Sequence, residues 1–235
     1  MSGPARAFRA ALAGPGTEDA GLLLPERLAR AAAQALGVDG AGLSLELLAG
    51  RRVPLAAGDP AAAEAERLQF ALGDGPCTAA HRDGAPVAAG ADELHARWPV
   101  FALELAGRTP FRSVLALPVG GALAGSVVLD LFAADPAAPG PDLVDAAREV
   151  ADVAGAELVA GLAAGADAVL GVPASLRTDP VRARQQVWVA VGRLATERGA
   201  SSGTALAALR ALAFGRGLDL ETAAAQLLTG ELPAD

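Results

Sequence analysis

The sequence predicts an α+β fold: an antiparallel sheet flanked by helices, followed by a small C-terminal three-helix bundle. Three observations carry this. Strongly apolar, strand-like runs meet at Ala49-Gly50 and at Gly120-Gly121, as the arms of local hairpins do. Segments of helical period lie between and after those runs, which sets helices against a sheet. From Gly161 to Pro180 the period weakens under repeated Gly and Pro, and three amphipathic helical segments follow.

The elements follow in order. Residues 24–36, LPERLARAAAQAL, put Leu24, Leu28, Ala31, Ala32 and Ala35 on one face; Pro25 suits a first helical turn and Gly37 a stop. GAGLSLELL (40–48) and RRVPLAA (51–57) read as paired strands. In DPAAAEAERLQFAL (59–72), Asp59 is an N-cap, Pro60 the first helical residue, and Gly73 ends the helix. Pro76 opens a further short helix, APVAA is a short strand, and WPVFALELAGR a short helix. FRSVLALPVGGALAGSVVLDLF is a hairpin of two apolar strands, and a long helix covers 142–162. The bundle helices are 180–198, 202–215 and 219–229, with Ser201 or Ser202 and Asp219 as caps. The expected organisation is a tail or helix over 1–19, a larger α+β domain over 20–163, a linker over 164–177 and the bundle over 178–232.

Composition excludes several chemistries. The chain has 235 residues and no Lys, Asn, Ile or Tyr, so all 19 basic residues are Arg. The absent types share AT-rich codons, so the Arg bias reflects base composition rather than phosphate recognition. Without lysine there is no Walker-A loop, kinase strand lysine or Schiff base. A single cysteine permits no internal disulfide. No secretory core opens the sequence, and the longest charge-free apolar stretch, Ser113 to Leu129, is broken by Pro118 and Gly120-Gly121. A soluble, cytoplasmic, membrane-free protein is expected. The net charge of −8 argues against general nucleic-acid binding and against DNA. Residues 181–217 nevertheless hold six Arg and one acid, Glu197.

LPERLARAAAQALGVDGAGLSLELLAGRRVPLAAGD, ERLQFALGDGPCTAA, RWPVFA and FRSVLALPVGGALAGSVVLDLF resemble the GAF domain of actinobacterial GAF–ANTAR regulators. VAVGRLATERGASSGTALAALRALAFGRGLDLETAAAQLLTGEL resembles the ANTAR domain, with Ala190, Gly192 and Leu194 on its A-x-G-x-L pattern. Ala205, Leu209, Arg210 and Ala213 match its second helix, and Leu220 and Ala224 its third. Trp188-Val189 stands where many relatives carry His-Gln, and Thr204 where they carry Glu. The resemblance implies a sensor joined to an output that binds paired hairpins in nascent RNA, prevents a terminator from forming and works as a homodimer. It implies no enzymatic activity. The rival from another class is a GAF-mediated dimerisation and protein-docking module that does not bind RNA.

Candidate sites follow. For RNA they are Arg182, Arg184, Arg193, Arg198, Arg210 and Arg216, whose guanidinium groups fork onto phosphate, and Trp188, placed to stack a base. Against this stands a solvated arginine face with Trp188 in packing. For a GAF ligand of unknown identity the candidates are Phe70, Trp98, Phe101 and Phe111, against ordinary core packing. Cys77 and His81, four apart, allow a redox thiol at a helix N-terminus, where the dipole lowers a thiol's pKa. His95 is the only other histidine, so no metal set is complete, and no oxyanion loop supports a Cys–His nucleophile. The plainer reading of Cys77 is a small buried apolar residue in a strand-to-helix turn. No metal and no resident cofactor are expected.

Overall fold

The computed structural model describes residues 3–14, 22–46, 52–164, 168–169, 172–173 and 178–233, and the side chains of 162–164, 168–169, 172–173 and 179–180 lie outside that description. The chain divides into two compact units, Met1–Thr178 and Asp179–Asp235. The fold is α+β, with an antiparallel five-stranded sheet flanked by helices in the first unit and a small helical bundle in the second.

In the first unit, α1 (Gly3–Leu12) precedes α2 (Leu24–Leu36), β1 (Gly40–Glu46), β2 (Arg52–Ala57), α3 (Pro60–Leu72), α4 (Pro76–Asp83) and β3 (Val87–Ala89). Then come α5 (Ala91–Arg97), α6 (Pro99–Arg108), β4 (Ser113–Pro118), β5 (Val127–Ala133) and α7 (Pro141–Ala164). The sheet order is β2-β1-β5-β4-β3, antiparallel throughout. Pro54 is tolerated because β2 is an edge strand, where a missing N–H breaks no ladder. The helix starts are built locally. Asp59 accepts from the N–H groups of Ala61 and Ala62 at 2.8 and 3.0 Å, and Glu26 accepts from the Leu23 N–H at 2.7 Å.

One face of the sheet packs on α2 and α7 through Ala41, Leu43, Leu115, Leu117, Leu129 and Leu131, and α1 packs against those two helices. The other face, with Val114, Ala116, Val128 and Phe132, packs against α3, α4, α5 and α6. Residues 3–12 form a helix whose Phe8 is fully buried, so this part of the N-terminal segment belongs to the core. The long helix expected over 142–162 runs over Pro141–Ala164 and so continues past Gly161. A Cβ at Gly161 would stand 2.3 Å from Leu24 Cδ2, so this glycine serves close helix packing rather than a break. Within the linker, Ala168–Val169 pairs with Val172–Pro173. The second hairpin turns less tightly than the Gly120-Gly121 pair suggested: β4 ends at Pro118 and a 3-10 turn at Gly121–Leu123 intervenes before β5. The Ala49-Gly50 turn lies outside the described residues.

The second unit comprises α8 (Asp179–Arg198), α9 (Ser202–Arg216) and α10 (Leu220–Thr229). Val187, Ala190, Val191, Leu194, Ala205, Leu209, Ala213, Leu220, Ala223, Ala224 and Leu227 are buried between them, as the amphipathic period of these segments predicts, while Ala195, Leu212 and Leu228 on the same period are half-buried. Ser201 caps α9 by accepting from Thr204 N–H at 3.1 Å, and Asp219 caps α10 by accepting from Thr222 N–H at 2.7 Å.

Candidate functional site

The sheet face under α3 and α4 carries a group of polar side chains inside an otherwise apolar core. Alternation along β1 points Gly42, Ser44 and Glu46 to this face, and the ladder pairs Gly42 with Asp130 on β5. A shift in the β1–β2 register at Leu43/Ser44 brings Arg52 opposite Glu46. From α3 come Glu66 and Gln69, from α4 Cys77 and His81. Arg52 Nη2 donates to Glu66 Oε2 at 2.7 Å and lies 3.5 Å from Asp130 Oδ2. Ser44 Oγ is 3.1 Å from Cys77 Sγ and 3.3 Å from His81 Nε2, and His81 Nδ1 is 3.8 Å from Glu46 Oε2. The Cys77 N–H donates to Gln69 Oε1 at 2.8 Å, which ties α4 to α3.

Two glycines make the arrangement possible. A Cβ at Gly42 would stand 2.5 Å from Glu66 Oε1, so a side chain there would expel the carboxylate. Gly75, at φ +146, occupies a conformation open to glycine, and its missing Cβ leaves room for Gln69 Oε1 at 2.9 Å.

The electrostatics follow from burial. Desolvation pushes the Cys77 thiol well up, with Arg52 opposing and Asp130 and Glu66 reinforcing the shift. The N-terminal position on α4, from which a lowered thiol pKa was expected, is outweighed by burial, so Cys77 is held as the thiol and not as the thiolate that oxidation requires. Cys77 is fully buried and belongs to the apolar core cluster, as the plainer reading of it expects, with Ser44 Oγ as a polar neighbour. Burial lowers His81, with Arg52 adding to the effect, so the imidazole stays neutral. For Arg52, burial lowers the pKa, but the acidic groups around it raise it on balance, so the guanidinium is charged. Among the described residues no group of three or more His, Cys, Asp or Glu is arranged to hold a metal ion.

The aromatic candidates lie deeper. Trp98, Phe101 and Phe111 belong to the core cluster under α3–α6, and Phe111 stacks on Phe132 at 5.2 Å. Phe70 is buried but not a member of that cluster. Arg97 lies over the Trp98 ring at 4.2 Å. Sequence reasoning missed Ser44, Arg52, Glu66, Gln69 and Asp130. The visible signals were a charge within the apolar run VVLDLF and two polar residues three apart on α3.

In the second unit the arginine candidates separate. Arg184 is 2% exposed and reaches Glu221 at 3.0 Å, so it pins α8 to α10 and presents nothing to a partner. Its spacing of three and seven from Val187 and Val191 puts it on the buried stripe. Arg193 donates to Glu197 at 2.7 Å and to the Leu227 carbonyl at 2.8 Å at the end of α10. Arg182, Arg198 and Arg216 are exposed, Arg210 is half-buried, and Trp188 is half-buried beside the stripe. Phe214, which the sequence reading passed over, is 84% exposed, and Val189 is 60% exposed.

A profile of the GAF domain matches residues 24–158, the span that holds the sheet and the polar group. The chain belongs to the GAF domain family. The GAF domain of a phosphoenolpyruvate-protein phosphotransferase from Coxiella burnetii superposes with a TM-score of 0.50 at 17% identity, over 70% of this chain and 95% of that one. The corresponding Acinetobacter domain gives a TM-score of 0.42 at 14% identity, over 69% of this chain and 99% of that one. At 17% identity the likeness to the Coxiella domain concerns the fold alone. No curated protein sequence matches the chain. A GAF domain is a sensor or interaction module, and no described helix is long and apolar enough to cross a membrane.

Proposed function

We propose that this chain is a cytoplasmic, non-enzymatic, homodimeric regulator in which the GAF domain senses a small molecule and the C-terminal bundle of ANTAR type binds hairpin RNA in nascent transcripts, acting in transcription antitermination. The observation that carries this reading is the outward side of the bundle. Arg182 and Arg193 are eleven residues apart, about three helical turns, so they lie on one exposed face of α8 with Gln186 and Val189 between them. Arg198 and Arg216 are exposed at the ends of α8 and α9, and the exposed Phe214 offers a ring on which an unpaired base can stack. Arg184 is removed from the RNA-binding set, because it is consumed within the bundle.

The interaction-module reading has its own support. Residues 179–235 hold six Arg and six acidic residues, so the unit as a whole is neutral. Gly203, Thr204, Ala207, Ala211, Phe214 and Gly215 form one exposed, charge-free side of α9, and Val100 and Leu103 are exposed on α6.

The two readings part on one experiment. Binding of the full chain to RNAs carrying two adjacent small hairpins is measured across a salt series. RNA binding gives a log–log slope of about −0.7 per phosphate neutralised. An Arg182→Ala/Arg198→Ala/Arg216→Ala variant then binds less tightly with a shallower slope. Absence of binding at low salt, with self-association intact, decides for the interaction module.

A further inference from the structure

Thr178 closes the first unit, and α8 starts at the next residue, Asp179. Although it ends a linker, Thr178 is 1% exposed, and its hydroxyl donates to the backbone carbonyl of Leu55 on β2. Leu55 occupies a special place in that strand. The register pairs Leu43 with Ala56 and Ser44 with Pro54, so Leu55 is the extra residue of a β-bulge, with no partner on β1 in that register. A buried carbonyl outside the ladder needs a donor from elsewhere, and Thr178 supplies it. The same bulge decides where Arg52 emerges. Without it the pairing from Ser44 onward would slip by one residue. Val53 would then stand opposite Glu46, and Arg52 would turn to the face packed on α2 and α7. One bulge therefore serves two ends: it aims Arg52 at Glu66 and Asp130, and it presents the Leu55 carbonyl to Thr178.

We propose that the β2 bulge is a latch on the chain's entry into α8. While the bulge is in place, Thr178 is held on Leu55, and the helix that follows starts from an anchored residue. When β2 gives up the bulge, Thr178 is released, and the C-terminal unit hangs from the end of α7 at Ala164 on a longer tether. Such a coupling is reciprocal. Displacing Arg52 from the polar group opens the anchor at Thr178, and removing the Thr178 hydroxyl loosens β2. A hydrogen bond of this kind shifts an opening equilibrium by about tenfold, enough to be read and small enough to be switched. The latch does not depend on what the bundle binds, so an absent RNA interaction leaves it standing.

The test is tryptic cleavage and amide hydrogen exchange of the full chain under native conditions. Trypsin cuts after Arg177, the residue before Thr178, and both methods report the population of the opened state. Thr178→Val keeps the side chain's shape and removes the donor; Thr178→Ser keeps the donor. Thr178→Val is expected to speed cleavage at Arg177 by about tenfold and exchange within 52–57 by a similar factor, while exchange within 113–118 and 127–133 stays as in the wild type. Thr178→Ser is expected to stay within about threefold of the wild type in both readouts. Arg52→Met, acting on the other end of the bulge, is expected to speed cleavage at Arg177 by more than it speeds exchange within 113–118. The proposal is overturned if Thr178→Val changes neither readout, or if Thr178→Ser acts as strongly as Thr178→Val. It is also overturned if the faster exchange spreads evenly over β4 and β5, which would make the contact one of general packing, or if Arg52→Met speeds Arg177 cleavage no more than it speeds exchange within 113–118.

Discussion

Replacing Arg52 by Met is the sharpest perturbation of the GAF core. The substitution removes the donor that bonds Glu66 at 2.7 Å and the positive charge 3.5 Å from Asp130. Both carboxylates stay buried, their side chains 2% and 0% exposed. Breaking a buried ion pair from one side costs about 3–5 kcal/mol, here chiefly because Asp130 stays buried after losing the Arg52 cation. For a unit of this size that corresponds to a fall in melting temperature of roughly 6–20 °C. In urea, with a slope near ~2 kcal/mol/M, the midpoint falls by about 1.5–2.5 M. The assay is urea unfolding followed by Trp98 fluorescence and far-ultraviolet circular dichroism. A matched variant, Arg52→Met/Glu66→Gln/Asp130→Asn, removes the charges together and recovers most of the loss, since replacing a whole buried ionic set is often close to neutral. A loss below about 1 kcal/mol for Arg52→Met, or a triple variant as unstable as the single one, refutes the claim that these three groups compensate one another.

Three further outcomes are expected. Arg184→Ala unfolds the C-terminal bundle earlier by about 2–3 kcal/mol, reported by Trp188 fluorescence, while a surface change such as Arg182→Ala stays within about 0.5 kcal/mol; equal effects would remove the structural assignment of Arg184. Cys77 in the native chain reacts with a thiol reagent roughly a thousandfold more slowly than in denatured protein, and fast native labelling at neutral pH would restore a redox role. The lowered His81 pKa gives a signed pH dependence. The unfolded imidazole takes up its proton below the ordinary value of 6.5 and the folded one only at lower pH, so stability falls as pH drops through that interval. His81→Gln flattens this slope; an unchanged slope would place the titration elsewhere.

What the sequence made legible was local. Asp59-Pro60 with Gly73, and Pro76 at the start of the next helix, mark helix ends because caps and ring constraints act over a few residues. The three C-terminal helices were readable from their stripes for the same reason. α5 was missed because ADELHAR buries only Leu94 and carries no apolar period. The polar cluster was missed because it is assembled from β1, β2, β5, α3 and α4, and depends on a register shift that no local pattern announces. Asp130 was nevertheless visible as a charge in an apolar strand, and Arg184 as an arginine on the buried side of its helix. Charge counting treated all six arginines alike, whereas Arg184 is buried against Glu221, and Arg193, though exposed, also bonds Glu197 and the Leu227 carbonyl.

The central claim is that a GAF domain is joined here to an RNA-binding bundle, and the most direct measurement is the affinity of the full chain for a two-hairpin RNA from its own operon against a scrambled RNA of equal length. The account predicts tighter binding to the hairpin RNA, weakened by Phe214→Ala and restored by Phe214→Trp, with a steep salt dependence. Equal, salt-insensitive or absent binding to both RNAs would contradict it and leave the chain as a GAF interaction module.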